Sequence, residues 1–581
     1  MVMLKFSNYY LGRVCIEFFS NLKILINISA NKLEFFSLFL FSFFVIGLEI
    51  YSLSIFYTVS NLTLNENYIY KNYYLDFFDL ISKTNNIHPI IFLFIFIFLK
   101  NIFVIFFLIY KNVVLLNFQR TISLKIINSI LNQEYVYFIK QPSSKLIAIM
   151  QQDTSLLMRN YSAVLNILIE SILLIFIFFY IFNLNTKISL FLIVAIITYF
   201  IFYIIFTKAR LIKLSHQRNY LNQSILKDLQ QTFANFREFI IYNSRKIFFL
   251  EIGRKYKKFF SNLKIGNILQ ETSKVFIEQV FIIAILLIMI FINFSDGSNT
   301  IMSIIPLLTV YLFAFIKVLP SFNKIVIETQ SYIYTKLFVK KINDQLKNCI
   351  VAKKLKNTIL DFSNSIEVKN ISFKWEETEN TLFENLNLII AKDSKIGIIG
   401  KSGSGKTTFL NLLMGFVIPN KGEILVDNKN IEKDLFEWRK KIAYVSQSNY
   451  MLDESLLKNI TFQSDINNID KELLNNAIYY SGLIEFIKNV PLGINTLVGE
   501  RGSKISGGEI LRIALARAYY SKKEIFILDE FTSALDNETE NKILDNLDIQ
   551  KKTIIMVSHK KSALKNCDRI YELTRKGFLF L

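Results

Sequence analysis

The chain holds only three cysteines in 581 residues. Cys15, Cys349 and Cys567 are too far apart for a metal-ligand spacing and too few for a disulfide framework. They read as free thiols in a reducing compartment. Residues 1–30 lack the compact apolar core and small-residue cleavage site of a secretory signal, so no cleavable signal peptide is expected. Histidine is as scarce, at three residues. Acidic charge is the minority sign: 47 Asp and Glu stand against 67 Lys and Arg, a formal net charge of +20. A nucleic-acid binder would have such an excess. Here the cations gather in particular loops between apolar runs, which is a membrane pattern, and no nucleic-acid partner is expected.

What the chain has in quantity is apolar surface. It is 52% hydrophobic and 15% aromatic, with a mean hydropathy of +0.36. Six apolar runs are long enough for a bilayer, which needs about 20 residues each. They lie near 34–57, 89–110, 162–183, 187–207, 275–294 and 300–320. The third and fourth are separated by little more than NLNT and form a tight hairpin. The fifth and sixth are joined by NFSDGSNT, without Lys or Arg. The loops after the second and fourth runs are long and basic, which places them and both chain termini in the cytoplasm. Apolar residues at three- and four-residue spacing in RTISLKIINSILNQEYVYFI extend the helices beyond the bilayer. YIYKNYYLDFFDLI, residues 68–81, suits an amphipathic helix on the outer surface or a packed external loop.

After a polar connector the composition changes to that of a soluble α/β domain. The expected division is a transmembrane domain over 1–345, a linker over 346–365 and a nucleotide-binding domain over 366–581. The strand SKIGIIG runs into GKSGSGKTT. Gly400, Lys401, Ser402, Gly403, Ser404, Gly405, Lys406 and Thr407 match G-x-x-x-x-G-K-[ST], with Thr408 next. Glycines let backbone N–H groups close on phosphate oxygens, Lys406 reaches the β- and γ-phosphates, and the Thr407 hydroxyl ligates Mg²⁺. A second apolar strand, EIFILDE, ends in Asp529, placed to hold the metal shell, and Glu530, placed to act as general base. Ser506, Gly507 and Gly508 precede a helix and suit an anion at its N-terminus. One phosphate loop already serves the nucleotide, so this second anion site makes sense for the nucleotide of another subunit.

These residues together resemble the ATP-binding cassette (ABC) transporter family, in its exporter form of six helices fused to one cassette. The likeness covers essentially the whole chain. It implies an all-α transmembrane domain followed by an α/β P-loop domain, and ATP hydrolysis coupled to transport. Trp375, in ISFKW, stands where the family stacks an aromatic on adenine. Gln447, in YVSQS, matches the glutamine that senses Mg²⁺ and couples to the membrane domain. TLVGERG resembles the loop before the signature, Ser506–Gly508 match the signature core, and Asp529 and Glu530 match the metal and catalytic carboxylates. Asp536, in SALD, matches the D-loop, and His559, in MVSHK, the switch histidine. Departures are Ile505, Glu509 and Phe531, where Leu, Gln and Ala are usual. Glu509 adds negative charge near a phosphate site.

The resemblance implies a dimer, most simply a homodimer, closed by ATP at two shared sites and opened by hydrolysis. Transverse helices near 140–155 and 225–240 would transmit the motion. Glu49, Lys100, Glu170 and Glu278 stand well inside the spans, with Lys274 and Lys317 near span ends. Pairing, such as Lys100 with Glu49, is one reading. A cavity in which Lys100, Lys274 and Lys317 hold an anionic headgroup is the other. GLEIYSLSIF, FLKNIF, KVFIEQ and AFIKVLPSFNKIV resemble the flippase branch that moves lipid-linked oligosaccharides across the bacterial inner membrane. That implies a lipid-linked pyrophosphate glycan as cargo. A multidrug or lipid exporter, a peptide exporter and an ATP-gated channel or regulator stay open. The spans exclude a soluble ATPase.

Overall fold

A computed structural model describes residues 18–27 except 19, 32–64, 89–347 except 185 and 296–300, 361–375, and 380–581 except 464, 533, 550 and 576. The segment 68–81 and most of the linker 346–365 lie outside the described residues. The chain divides into two compact units, one of 1–133 with 138–350 and one of 134–137 with 351–581.

The first unit is helical. Its long helices are α1 (Lys32–Leu64), α2 (Pro89–Leu131), α5 (Thr154–Leu184), α6 (Thr186–Ala234), α8 (Arg245–Ser295) and α9 (Ile301–Lys347). The 43 residues of α2 span roughly 65 Å, about twice the hydrocarbon thickness. The helices therefore do run on beyond the apolar stretches. Short helices α3 (Tyr135–Lys140), α4 (Ser143–Ala148) and α7 (Phe236–Ile241) lie between them. A π-helical segment, Ile149–Asp153, joins α4 to α5. The six-residue helix α4 lies inside the window 140–155 expected for a transverse helix, and α7 overlaps the end of the window 225–240. The window 225–240 is instead mostly the last turns of α6, whose helical spacing continues unbroken to Ala234. Among the described residues four helical stretches are long and apolar enough to cross a membrane: Lys32–Tyr57, Ile90–Leu131, Ser143–Leu184 and Ser189–Ala234. The spans expected at 275–294 and 300–320 fall in α8 and α9, whose side chains around 287–310 are not described.

Helices α5 and α9 are cross-linked by several side-chain contacts. Arg159 Nε donates to Ser331 Oγ at 2.9 Å, and Asn160 Nδ2 to Thr335 Oγ1 at 2.9 Å. Asn166 Nδ2 donates to Glu328 Oε1 at 2.7 Å, and Lys324 Nζ to Glu170 Oε1 at 2.5 Å.

The second unit is α/β. A four-stranded antiparallel sheet has the order β2-β1-β4-β5, with β1 (Ser365–Phe373), β2 (Phe383–Ala391), β4 (Lys421–Val426) and β5 (Lys429–Asn430). A six-stranded sheet has the order β10-β9-β3-β8-β7-β6. Its members are β3 (Lys395–Ile399), β6 (Ile442–Val445), β7 (Ile525–Asp529), β8 (Thr553–Val557), β9 (Arg569–Thr574) and β10 (Gly577–Phe580). The central strands read IFILD and TIIMV and are buried throughout, as parallel strands covered on both faces must be. The helices are α10 (Lys406–Leu413), α11 (Leu435–Lys440), α12 (Leu456–Thr461), α13 (Lys471–Tyr480), α14 (Ile484–Asn489), α15 (Gly507–Tyr520) and α16 (Asn537–Ile549). Trp438 of α11 is fully buried, and its Nε1 donates to Leu413 O at 2.8 Å, pinning the C-terminal turn of α10. Tyr135 belongs to this unit, with its ring 4.7 Å from that of Phe416.

Candidate active site

Strands β3, β8, β7 and β6 are parallel neighbours. The loops after their C-terminal ends therefore share one edge, where open α/β sheets place ligands. Those loops carry Gly400–Gly405, His559, Glu530 and Gln447.

The first loop turns straight into α10. Its N-cap, Gly405, has φ +93°, in the left-handed region. A Cβ there would stand 2.6 Å from Phe383 Cζ. Lys406 is buried and donates to Gly400 O at 2.9 Å and Lys401 O at 3.2 Å. Its Nζ is also 3.2 Å from His559 Nε2. Ser404 Oγ is buried without a hydrogen-bond partner inside the loop. Lys401, Ser402, Gly403 and Thr407 are exposed, and Thr408 is half-buried.

Asp529 ends β7 and is buried. In a strand, successive side chains point to opposite faces. Glu530 leaves the strand with φ +50°, and this break lets two adjacent carboxylates serve one site. Its N–H donates to Val557 O at 2.8 Å. Gln447 Nε2 donates to Glu530 Oε2 at 2.6 Å, and His559 Nε2 lies 3.0 Å from Glu530 Oε1. Burial, and then the neighbouring Glu530 charge, push the Asp529 carboxyl above the ordinary carboxylate range. The Tyr444 hydroxyl, 3.4 Å from Asp529 Oδ2, favours the ionised form. A divalent cation would relieve both leading penalties. An acidic pair, a nearby hydroxyl at Thr407 and an unpartnered buried Ser404 Oγ fit a magnesium nucleotide, because Mg²⁺ takes one or two carboxylates plus substrate phosphates.

Lys406, Gln447, Asp529, Glu530 and His559 are thus brought together. Ser506, Gly507 and Gly508 form a separate group. Ser506 accepts from Glu509 N at 3.3 Å while its own N–H donates to Glu509 Oε2 at 2.7 Å, a capping box on α15. Glu509 is therefore engaged by its own helix rather than standing as a bare charge. A Cβ on Gly508 would lie 3.1 Å from Ala534 O. Asp536 caps α16, accepting from Thr539 N at 3.0 Å. Trp375 packs edge-on against Phe373 with ring centroids 5.1 Å apart.

Sequence reading overlooked Arg517. Burial brings its guanidinium down to about 10. It donates to Asn459 O at 2.8 Å and Tyr450 O at 3.2 Å, and lies 4.4 Å over the Phe462 ring. It ties α15 to the segment that follows Gln447. An Arg in ILRIALARA looks like an exposed helix residue, and no local signal marks its distant carbonyl partners. Arg517→Met should strand both carbonyls and destabilise the cassette by about 2–4 kcal/mol, read as a lower unfolding temperature of the full chain.

In the membrane unit, Lys100 is 2% exposed and lies 2.9 Å from Glu49 Oε2. Lys317 reaches the same oxygen at 3.1 Å. Lys274 is apart from them, with Glu278 one turn along its own helix at 3.9 Å.

Residues 383–533 match the ABC transporter family model. Among curated proteins, the chain is 38% identical over 244 residues to the alpha-hemolysin translocation ATP-binding protein HlyB of Escherichia coli O157:H7, covering 42% of this chain and 34% of that one. It is 37% identical over 235 residues to the leukotoxin translocation ATP-binding protein LktB of Mannheimia glucosida, covering 40% and 33%. The chain thus matches about a third of the length of these relatives. The fold is similar to the structure of a bacterial Atm1-family ABC exporter with ATP bound, with a TM-score of 0.80, 18% identity and 94% of each chain covered.

Proposed function

We propose that this chain, an ABC transporter ATP-binding domain joined to an N-terminal membrane domain in an exporter fold, hydrolyses ATP to drive export. The observation that carries the reading is the meeting of Lys406, Gln447, Asp529, Glu530 and His559 at one sheet edge. Lys406 and the N–H groups around Gly405 hold phosphate oxygens. Glu530 takes the proton of the attacking water, with one carboxylate oxygen held by Gln447 and the other beside His559. Thr407, Gln447 and Asp529 would hold Mg²⁺, which when bound supplies positive charge to the phosphate oxygens.

The working unit is a homodimer in the bacterial inner membrane, with cassettes and termini in the cytoplasm. Each nucleotide lies between the Gly400–Thr408 loop of one copy and Ser506–Gly508 of the other, with Asp536 at the seam and Trp375 on adenine. Cassette closure and release alternate the access of the membrane domain, each ligand shifting the states by its differential affinity. The toxin translocators named above match in the cassette, so they bear on ATP use rather than on cargo. The cargo reading is an anionic lipid-linked glycan. Its support is the shared Glu49, where two lysines meet one carboxylate.

A reconstituted flipping assay comparing a lipid-linked oligosaccharide with a hydrophobic drug tests it. Lys100→Gln leaves Lys317 as the one cation on Glu49, so no cation is spare for the cargo, and should slow movement of the oligosaccharide at least about tenfold, the worth of one charge-assisted contact. Equal movement by wild type and variant would make Lys100 a spectator.

A further inference from the structure

The lysine–glutamate arrangement carries one step more, which rests on the reading that the cargo is anionic. Glu49 of α1, Lys100 of α2 and Lys317 of α9 come from three helices and meet at a single carboxylate. Eleven residues further along α2, and seven to eleven further along α9, lies a second polar group. There Lys324 pairs with Glu170, and Lys111 reaches Glu328 through Asn166. Two cations face two anions in that group. The Glu49 group, among the described residues, has two cations for one anion. An uncompensated charge inside a membrane span is costly, and it usually faces a water-filled cavity or a ligand.

The two lysines also differ in access. Lys100 is 2% exposed, whereas the Lys317 side chain is 31% exposed and that of Glu49 15%. Lys317 approaches both Glu49 oxygens, at 3.1 and 3.5 Å. Lys100 is the buried anchor of the carboxylate, and Lys317 is the arm that a ligand meets first.

We infer that Glu49 is a resident counter-anion that keeps the seat of the cargo's phosphate or carboxylate. The arriving anion exchanges with Glu49 on Lys317, and Lys100 stays on Glu49. The loaded site then holds two complete pairs, Lys100 with Glu49 and Lys317 with the cargo. No bond is made or broken, and the charge excess is the force that recruits the ligand. When the cargo leaves, Glu49 takes Lys317 back, so the empty site does not stay bare.

The test is binding of radiolabelled dodecyl phosphate to the full-length protein in phosphatidylcholine nanodiscs, with dodecyl maltoside as the uncharged probe. Glu49→Gln should tighten dodecyl phosphate about tenfold and Lys317→Gln should weaken it about tenfold, as one charge-assisted contact is gained or lost. Lys317→Arg should bind within about threefold of wild type, since it keeps the charge. Maltoside binding should stay level across the set. Unchanged or weaker phosphate binding by Glu49→Gln overturns the exchange, as does a parallel shift of both probes. If Glu49→Gln does not fold, the contrast between Lys317→Gln and Lys317→Arg decides: equal loss by both overturns it. A wild type that prefers phosphate, with the preference surviving every variant, removes Glu49's role but keeps an anionic cargo. A wild type without that preference overturns both readings.

Discussion

Glu530→Gln is expected to lower ATP turnover by at least about 10²-fold, the contribution of a positioned general base, and to leave nucleotide trapped in a closed dimer. The amide keeps the shape of the site. Its oxygen still accepts from Gln447 Nε2, now at 2.6 Å from Glu530 Oε2. Its NH₂ meets His559 Nε2, now 3.0 Å from Oε1, and His559 need only present its bare nitrogen there. Lys406, 3.2 Å from the same Nε2, can donate to it once that nitrogen is bare. What the variant lacks is a group that takes the proton of water. Turnover and retained labelled nucleotide should be measured on the same sample. Hydrolysis within about threefold of wild type would remove Glu530 from the role of base, because even the low end of that range is far larger.

Gly405→Ala is the second large effect. The residue sits at φ +93°, which costs an L-residue about 1–2 kcal/mol. Its new Cβ would also meet Phe383 at 2.6 and 2.8 Å and Leu382 Cδ2 at 3.1 Å. Phe383 is fully buried in the cassette core and has no room to retreat. The loop must therefore open, which moves the Gly400 and Lys401 carbonyls that hold Lys406. ATP affinity should fall by more than about tenfold, since strain above 1.4 kcal/mol is set directly against binding. Adding Phe383→Leu should return part of that loss, the steric part, and leave the backbone part. A Gly405→Ala protein that binds ATP like wild type would mean that the loop is held by something other than this packing.

The nucleotide half was legible because its chemistry is local in the chain. A phosphate loop is nine consecutive residues, and Asp529 and Glu530 are adjacent. The apolar strands SKIGIIG and EIFILDE announced both. Sequence alone did not show why these segments meet. That follows from strand order, β3-β8-β7-β6, which brings together residues more than a hundred positions apart. The membrane half was less legible. Apolar runs mark spans, but Asn166 and Glu328 are 162 positions apart, and neither looks like a partner of the other in sequence. Lys100 was open between a paired and a ligand-facing role. The distances give it a partner in Glu49 and give that partner a second cation. Short helices α4 and α7 fall in or across the expected windows, but most of the window 225–240 is the end of α6, because helical periodicity runs smoothly through the ends of the long helices and does not mark where the chain turns.

The seam between α5 and α9 has a mechanical consequence. Its links join 159 to 331, 160 to 332 and 335, 166 to 328 and 170 to 324. From Asn160 onward, numbers rise along one helix as they fall along the other, so those links form a ladder with one register. Each rung is weak, about 0.6 kcal/mol on average for polar contacts between membrane helices. Sliding one helix along the other would break every rung at once. The two helices therefore behave as one stiff rod of double thickness.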